Sequence, residues 1–254
     1  MAMDNRLLVP RYKYDPDAAR YLAAVEAADG QALETPVRRA INAFVAALKA
    51  DNLWDAMGSS CLLCGPRTLA GALVPLKGDA PTAYGLVEGD FDRSNGITGD
   101  GTSYLDSNRA NDADPQNDNH NAVYVTAANT VSGGGLLIGA TGAGGVGQNA
   151  IGSQPVFSRA YTRNRSSAAS LFAGQHSATG LVAVSRSIGT AYSARFGGSN
   201  TVLLTASDGR TSDNVTIFNT TNATIAFYSI GSSVALAKLE THISDYVTAI
   251  GAAL

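Results

Sequence analysis

Residues 35–54 (TPVRRAINAFVAALKADNLW) carry apolar side chains at helical spacing, and that stripe constrains the rest of the chain. Thr35 is the expected N-cap and Pro36 the first helical residue, where a missing N–H costs nothing. Val37, Ile41, Phe44, Val45 and Leu48 then fall on one face, with Arg38, Arg39, Asn42 and Lys49 on the other. Nearly everything that follows is patterned for β structure. A helix with such a stripe must bury it, so the sheet downstream is its expected partner.

A shorter helix precedes it. Asp15 and Pro16 form a start signal, Tyr21, Leu22 and Val25 a stripe, and Asp29-Gly30 a stop. Residues 15–58 therefore read as a helical hairpin, with the second helix running to about Met57. Residues 1–14 read as an extended arm, whose Leu7, Leu8, Val9, Tyr12 and Tyr14 are candidate docking residues.

Beyond residue 58 the period changes. Short runs rich in β-branched and aromatic residues alternate with Gly, Asn, Asp and Ser clusters, the pattern of a β-sandwich. Strands are expected at 122–127, 135–140, 156–162, 170–174, 181–187, 191–196, 202–206, 214–220 and 223–230. Gly197-Gly198 and Asp208-Gly209 are turn signals. Residues 66–121 show only short apolar patches and are expected to wrap one edge of the sandwich. Ser232 or Ser233 is the expected cap of a closing helix with Leu236, Leu239, Ile243, Tyr246, Val247 and Ile250 on its apolar face. Residues 59–254 thus form one sandwich with its closing helix, and the fold class is mainly β with an N-terminal α-hairpin and a C-terminal helix.

Charge limits the partners. With 18 basic against 21 acidic residues, and only 15% charged, the chain lacks the basic face that phosphate contacts need, so nucleic acid is not an expected partner. No stretch reads as a membrane span or a signal peptide, so synthesis and assembly in a cytoplasm are expected. Cys61 and Cys64 form a C-x-x-C, but Gly65-Pro66 follows at once and Leu62 and Leu63 flank them, which suits buried, reduced thiols in a strand.

Several segments resemble chemistry. GAGGVG from Gly142 to Gly147 has dinucleotide-loop spacing, yet the residues after it cannot open a helix, so it reads as a flexible glycine loop and no cofactor is expected. Glu88, Asp90 and Asp92 would share one face of a strand, the placement a glycoside hydrolase needs; the surrounding glycines and Arg93 favour exposed loop carboxylates. Residues 106–120 (DSNRANDADPQNDNH) are the most polar stretch. Asp106, Asp112, Asp114 and Asp118, with Tyr104 and Tyr124 nearby, are the candidate glycan or Ca²⁺ loop, against the simpler reading of Asx turns. Arg159, Arg163 and Arg165 alternate as a basic strip, a solvated face or a surface for an anionic partner. His176-Ser177 has no evident acid partner, and no G-x-S-x-G occurs.

Three segments in order, DPDAARYLAAVEAADG (15–30), AINAFVAALKADNLW (40–54) and GDGTSYL (99–105), resemble tailed-bacteriophage virion proteins. In that group a helical N-terminal unit precedes a concanavalin A-like (laminin-G-like) jelly roll, and the chain often ends in a helix. The resemblance implies a non-enzymatic structural protein of the virion, a capsid decoration or cement or a tail-associated component. Its implied partners are other virion proteins and further copies of itself, and it is assembled in a bacterial host cytoplasm without membrane insertion. Cys61, Cys64 and the 106–120 stretch do not map onto the group. A lectin-like module for host attachment is the alternative, and a glycoside hydrolase the third reading.

Overall fold

The computed structural model describes residues 13–141 and 146–254. The elements run α1 (Pro16–Asp29), α2 (Thr35–Ala50), β1 (Met57–Leu62), α3 (Leu69–Ala72), β2 (Thr82–Tyr84), β3 (Phe91–Asp92), β4 (Gly96–Thr98), β5 (Tyr104–Ala110) and β6 (Asn119–Ala127). They continue with β7 (Gly135–Ala140), β8 (Asn149–Gln154), β9 (Arg159–Asn164), β10 (Ser170–Ala173), β11 (Gly180–Ile188) and β12 (Ala191–Phe196). The chain closes with β13 (Ser199–Leu203), β14 (Asn214–Ile217), β15 (Thr224–Gly231) and α4 (Leu236–Ala253). Among these residues no helix is long and apolar enough to cross a membrane.

Two antiparallel sheets form the sandwich expected from the strand pattern. One has eight strands in the order β13-β12-β11-β6-β15-β4-β3, with β1 added against β15; the other has seven, β10-β9-β8-β7-β14-β5-β2. The helices make a third layer on the eight-stranded sheet. Alternation explains how: Leu181 and Ala183 of β11, Ala122 of β6 and Phe227 of β15 share a cluster with α1, α2 and α4. Their neighbours Val182, Val184, Val123 and Tyr228 point into the core between the sheets. These strands are covered on both sides and so read as unbroken apolar runs. The stripe of α2 is buried as expected, and Phe44 meets the Phe227 ring edge-on at 5.9 Å between centroids.

The helix ends differ from the sequence reading. Asp15 caps α1 by accepting from Asp17 N, as expected. Glu34, not Thr35, is the N-cap of α2, and its carboxylate is held by Arg67 and Arg93. Asn42 is buried rather than on the polar face, because its Oδ1 accepts Asp15 N at 2.6 Å and ties the two helices together. α2 ends at Ala50, and Met57 already begins β1. α4 starts at Leu236 behind Ala235, because Ser233 N and Val234 N are taken by Asp118 and Ser185 as the chain leaves β15.

Residues 66–121 do line one edge, supplying the terminal strands of both sheets (β4-β3 and β5-β2). β9 starts only at Arg159, since Pro155–Phe157 is a 3₁₀ turn and Ser158 is left-handed at φ 46. Gly197 and Gly198, both with positive φ, make the β12–β13 turn. Asp208-Gly209 is not a hairpin turn; the Asp208 carboxylate accepts Gly147 N and Ser167 N and so clasps neighbouring loops.

A buried polar network joins the two sheets at that end. Asn119 Oδ1 accepts from Asn149 and Asn164, Asn164 Oδ1 accepts Arg186 Nε, and the Arg186 guanidinium donates to the carbonyls of Asn164, Ile188, Gly189, Ala191 and Thr205. A buried guanidinium is stable only when so surrounded. Arg165 belongs to this interior and not to a surface strip: it is 1% exposed and its Nη2 donates to Asp114 O.

Candidate functional site

With the helices on one sheet, the outer face of the seven-stranded sheet has no helical cover among the described residues. Register fixes what that face displays. One row runs Thr82, Asp106, Thr216, Gly139, Ala150, Arg163 across five strand pairs. The next carries Tyr84 and Tyr104 at one end and Leu136, Gly152, Tyr161 and Leu171 at the other. Glycine, alanine and threonine occupy the middle strands, while rings and charges stand on the flanks. The face is therefore lowest along its middle strands, a trough whose floor residues Gly139, Ala150 and Gly152 are themselves buried beneath their neighbours.

Its best-formed part is a cleft of about 280 Å³ lined by Gly133–Gly135, Leu136, Thr141, Gln154, Tyr161, Asn219 and Thr220. The Tyr161 ring packs against Gly152: a Cβ there would come within 2.3 Å of the ring. Burial pushes the Tyr161 phenol up, with the adjacent Arg163 guanidinium partly opposing. Amides and hydroxyls dominate the remaining lining, which suits a hydroxylated ligand better than an apolar one.

On the opposite flank Tyr104 and Tyr84 stack at 4.6 Å between centroids and 12° between planes, leaving Tyr84 45% exposed. Tyr104 and Asp106 thus share the face with Tyr161, about 19 Å away across four strand spacings. The other residues of the polar segment go elsewhere. Asp114 is buried in a bidentate pair with Arg109, Asp118 accepts Ser233 N, and Asp112 is exposed on the 3₁₀ turn after β5. Tyr124 faces the helical layer. Among the described residues no group of three His, Cys, Asp or Glu lies close enough to hold a metal ion.

The remaining candidates have structural partners. Glu88–Asp90 is a 3₁₀ turn and not a strand, so Glu88, Asp90 and Asp92 do not share a face. Each accepts backbone N–H groups instead: Glu88 from Leu69, Asp90 from Val87, and Asp92 from Ser94 and Asn95. Arg93 pairs with Glu34. Cys61 and Cys64 are free and buried, and burial pushes both thiols up to about 12. They lie in different hydrophobic clusters, Cys61 between the sheets and Cys64 under the helices. Tyr14 packs on the helical layer with the Arg38 guanidinium 5.3 Å from its ring. Leu7, Leu8, Val9, Tyr12 and most of the glycine loop, residues 142–145, lie outside the described residues.

No protein-family model matches this chain, and no curated protein does. Solved structures do. The binding domain of botulinum neurotoxin serotype D is similar at TM-score 0.52 and 8% identity, over 75% of this chain and 51% of that one. A botulinum neurotoxin type C structure, described by the dependence of cell entry on two ganglioside molecules, is similar at TM-score 0.52 and 12% identity, over 78% and 53%. A receptor binding domain is similar at TM-score 0.50 and 11% identity, over 79% and 53%. The chain spans about half the length of these structures. At such identity the likeness shows a shared β-sandwich fold.

Tyr161 and its cleft were not legible as a site. The only trace was the every-second-residue placement of Arg159 and Arg163 around it. The floor comes from β7 and β8, the two strands just before β9, whose glycines read as loop.

Proposed function

We propose that this chain is a non-catalytic attachment module that binds a glycan on the outer face of its seven-stranded sheet. The observation that carries this reading is the Tyr161 cleft, where a ring lies beside Gln154, Asn219, Thr220 and the backbone of Gly133–Gly135. A sugar offers an apolar C–H face and a rim of hydroxyls. A ring beside amides and hydroxyls complements both. The ganglioside dependence described for the type C neurotoxin is a precedent for glycan recognition by a sandwich of this fold. Non-catalytic status is supported by the carboxylates of the hydrolase reading, which are committed to backbone N–H groups.

The sequence resemblance supports the second half of the reading: the module is carried on a phage particle, as a tail-associated or capsid-surface component in several copies. Repetition would turn weak single-site sugar binding into firm attachment.

The test is a glycan array probed with the intact protein and with Tyr161→Ala. Binding of a defined glycan by the intact chain, lost at least tenfold in Tyr161→Ala with an unchanged melting temperature, is the expected result. An array blank for the intact chain overturns the glycan reading. Electron cryo-microscopy of particles that package this protein tests the second half, and absence of the chain from them removes it.

A further inference from the structure

We infer that the ligand of this face is an acidic glycan, with its carboxylate or sulfate groups taken by Arg159 and Arg163, which stand on either side of Tyr161 on β9. The inference rests on the glycan reading above and adds the class of sugar.

The strand β9 presents Arg159, Tyr161 and Arg163 on one face, opposite Gln154, Gly152 and Ala150 of β8. Both guanidinium groups are held in place by neighbours. Arg159 Nε donates to Gln154 Oε1 at 2.7 Å, and its guanidinium carbon stands 4.7 Å from the centre of the Phe157 ring, itself 64% exposed. On the other side of Tyr161, Arg163 Nη1 donates to Gln148 Oε1, while Gln148 Nε2 donates to Thr141 O. Gln154 and Thr141 both line the cleft, so Arg159 is tied to its lining directly and Arg163 through Gln148.

Each arginine keeps unused donors. The terminal nitrogens of Arg159 and the Nη2 of Arg163 have no partner among the described residues, and Arg163 Nε is buried without one. A planar fork with free donors, fixed before the ligand arrives, matches a carboxylate or sulfate and loses little entropy on binding it.

The charge distribution points the same way. The chain as a whole has more acidic than basic residues. Yet the outward positions of β10, β9, β8 and β7 (Leu171, Ala173, Arg159, Tyr161, Arg163, Gln154, Gly152, Ala150, Leu136, Gly139) include no carboxylate. Along the Arg163 row the first acidic side chain is Asp106, on β5, which accepts from Asn108 N and Asn214 Nδ2. Two cations without a local counter-charge make a site where an anion gains most.

The test compares neutral oligosaccharides with their sialylated, uronate-bearing and sulfated counterparts, at low and high salt, for the intact chain, Arg159→Gln, Arg163→Gln and Tyr161→Ala. The acidic member of a pair should bind about tenfold more tightly than its neutral parent, lose about tenfold in either arginine variant, and weaken as salt rises. The sialyl, uronate and sulfate arms separate carboxylate from sulfate recognition. Equal binding of neutral and acidic members, still abolished by Tyr161→Ala, overturns the acidic class and leaves the glycan reading standing. An array with no binding overturns both. Should Arg163→Gln lower the melting temperature through its buried Nε, the result for Arg159→Gln decides.

Discussion

His120 shows how one residue sets a property of the whole chain. It opens β6 in the interior, with Nδ1 2.5 Å from the Ser232 carbonyl and Nε2 2.8 Å from Ser229 Oγ. In the neutral ring Nδ1–H donates to the carbonyl and Nε2 accepts from the serine. Burial lowers its pKa from 6.5 to about 4, although Asp114 and Asp118 nearby favour the charged form and Arg109 opposes it. The unfolded chain therefore takes up a proton below pH 6.5 that the folded chain refuses. His120 contributes full stability above pH 6.5 and progressively less as pH falls towards 4, a loss of about 3 kcal/mol over that window. Urea unfolding at pH 7 and pH 4.5 should show it, and the slope specific to this group should vanish in His120→Asn, whatever that variant's stability at pH 7. Buried thiols at Cys61 and Cys64 were legible from their flanking leucines. Burial of Arg165 and Asn42 was not, because their contacts, Arg165 Nη2 to Asp114 O and Asp15 N to Asn42 Oδ1, come from far away in sequence, and Arg165 Nε and Nη1 are buried with no partner among the described residues.

At the scale of elements, α2 is the part the sequence defined best, and its stripe does what periodicity demands. Phe44 meets both Phe227 of β15 and Tyr246 of α4, so it pins two helices to the sheet. Phe44→Ala should cost about 3–5 kcal/mol by chemical denaturation, the range for a buried aromatic emptied to a methyl. A cost below about 1 kcal/mol would mean that the helical layer does not share the sheet's core. Strands were legible where one face or both are apolar: β7 and β12 lie where the pattern put them. β8 was missed because NAIGSQ has one large apolar side chain; Asn149 serves the polar network and Gly152 lies beneath Tyr161. β1 was legible at Cys61 and Leu62, read as buried strand, but its start at Met57 was assigned to the helix; β2 to β4 have only two or three residues each.

The whole molecule is three layers with two outward surfaces, helices on one side and the trough on the other. Changes on the two surfaces should act independently. Removal of residues 1–12 should leave glycan affinity within about twofold, since none of the residues lining the cleft is among them, while lowering incorporation into particles; Tyr161→Ala should do the reverse. Both quantities falling together in either variant would refute the separation of attachment from assembly. What the sequence determined by itself was local: a capped helical hairpin, a β-patterned body, a closing amphipathic helix, buried thiols, and the low charge that argues against nucleic acid. These follow from periodicity, turn chemistry and composition, which act over a few residues. Only the tertiary structure decided which sheet the helices cover, and with it which face stays open. It also decided that Tyr161, Gly152, Leu136 and Thr220 come together. Cross-strand register within the consecutive strands β7, β8 and β9 sets Leu136, Gly152 and Tyr161 side by side, and only the pairing of β14 with β7 brings Asn219 and Thr220 from far along the chain to complete the cleft.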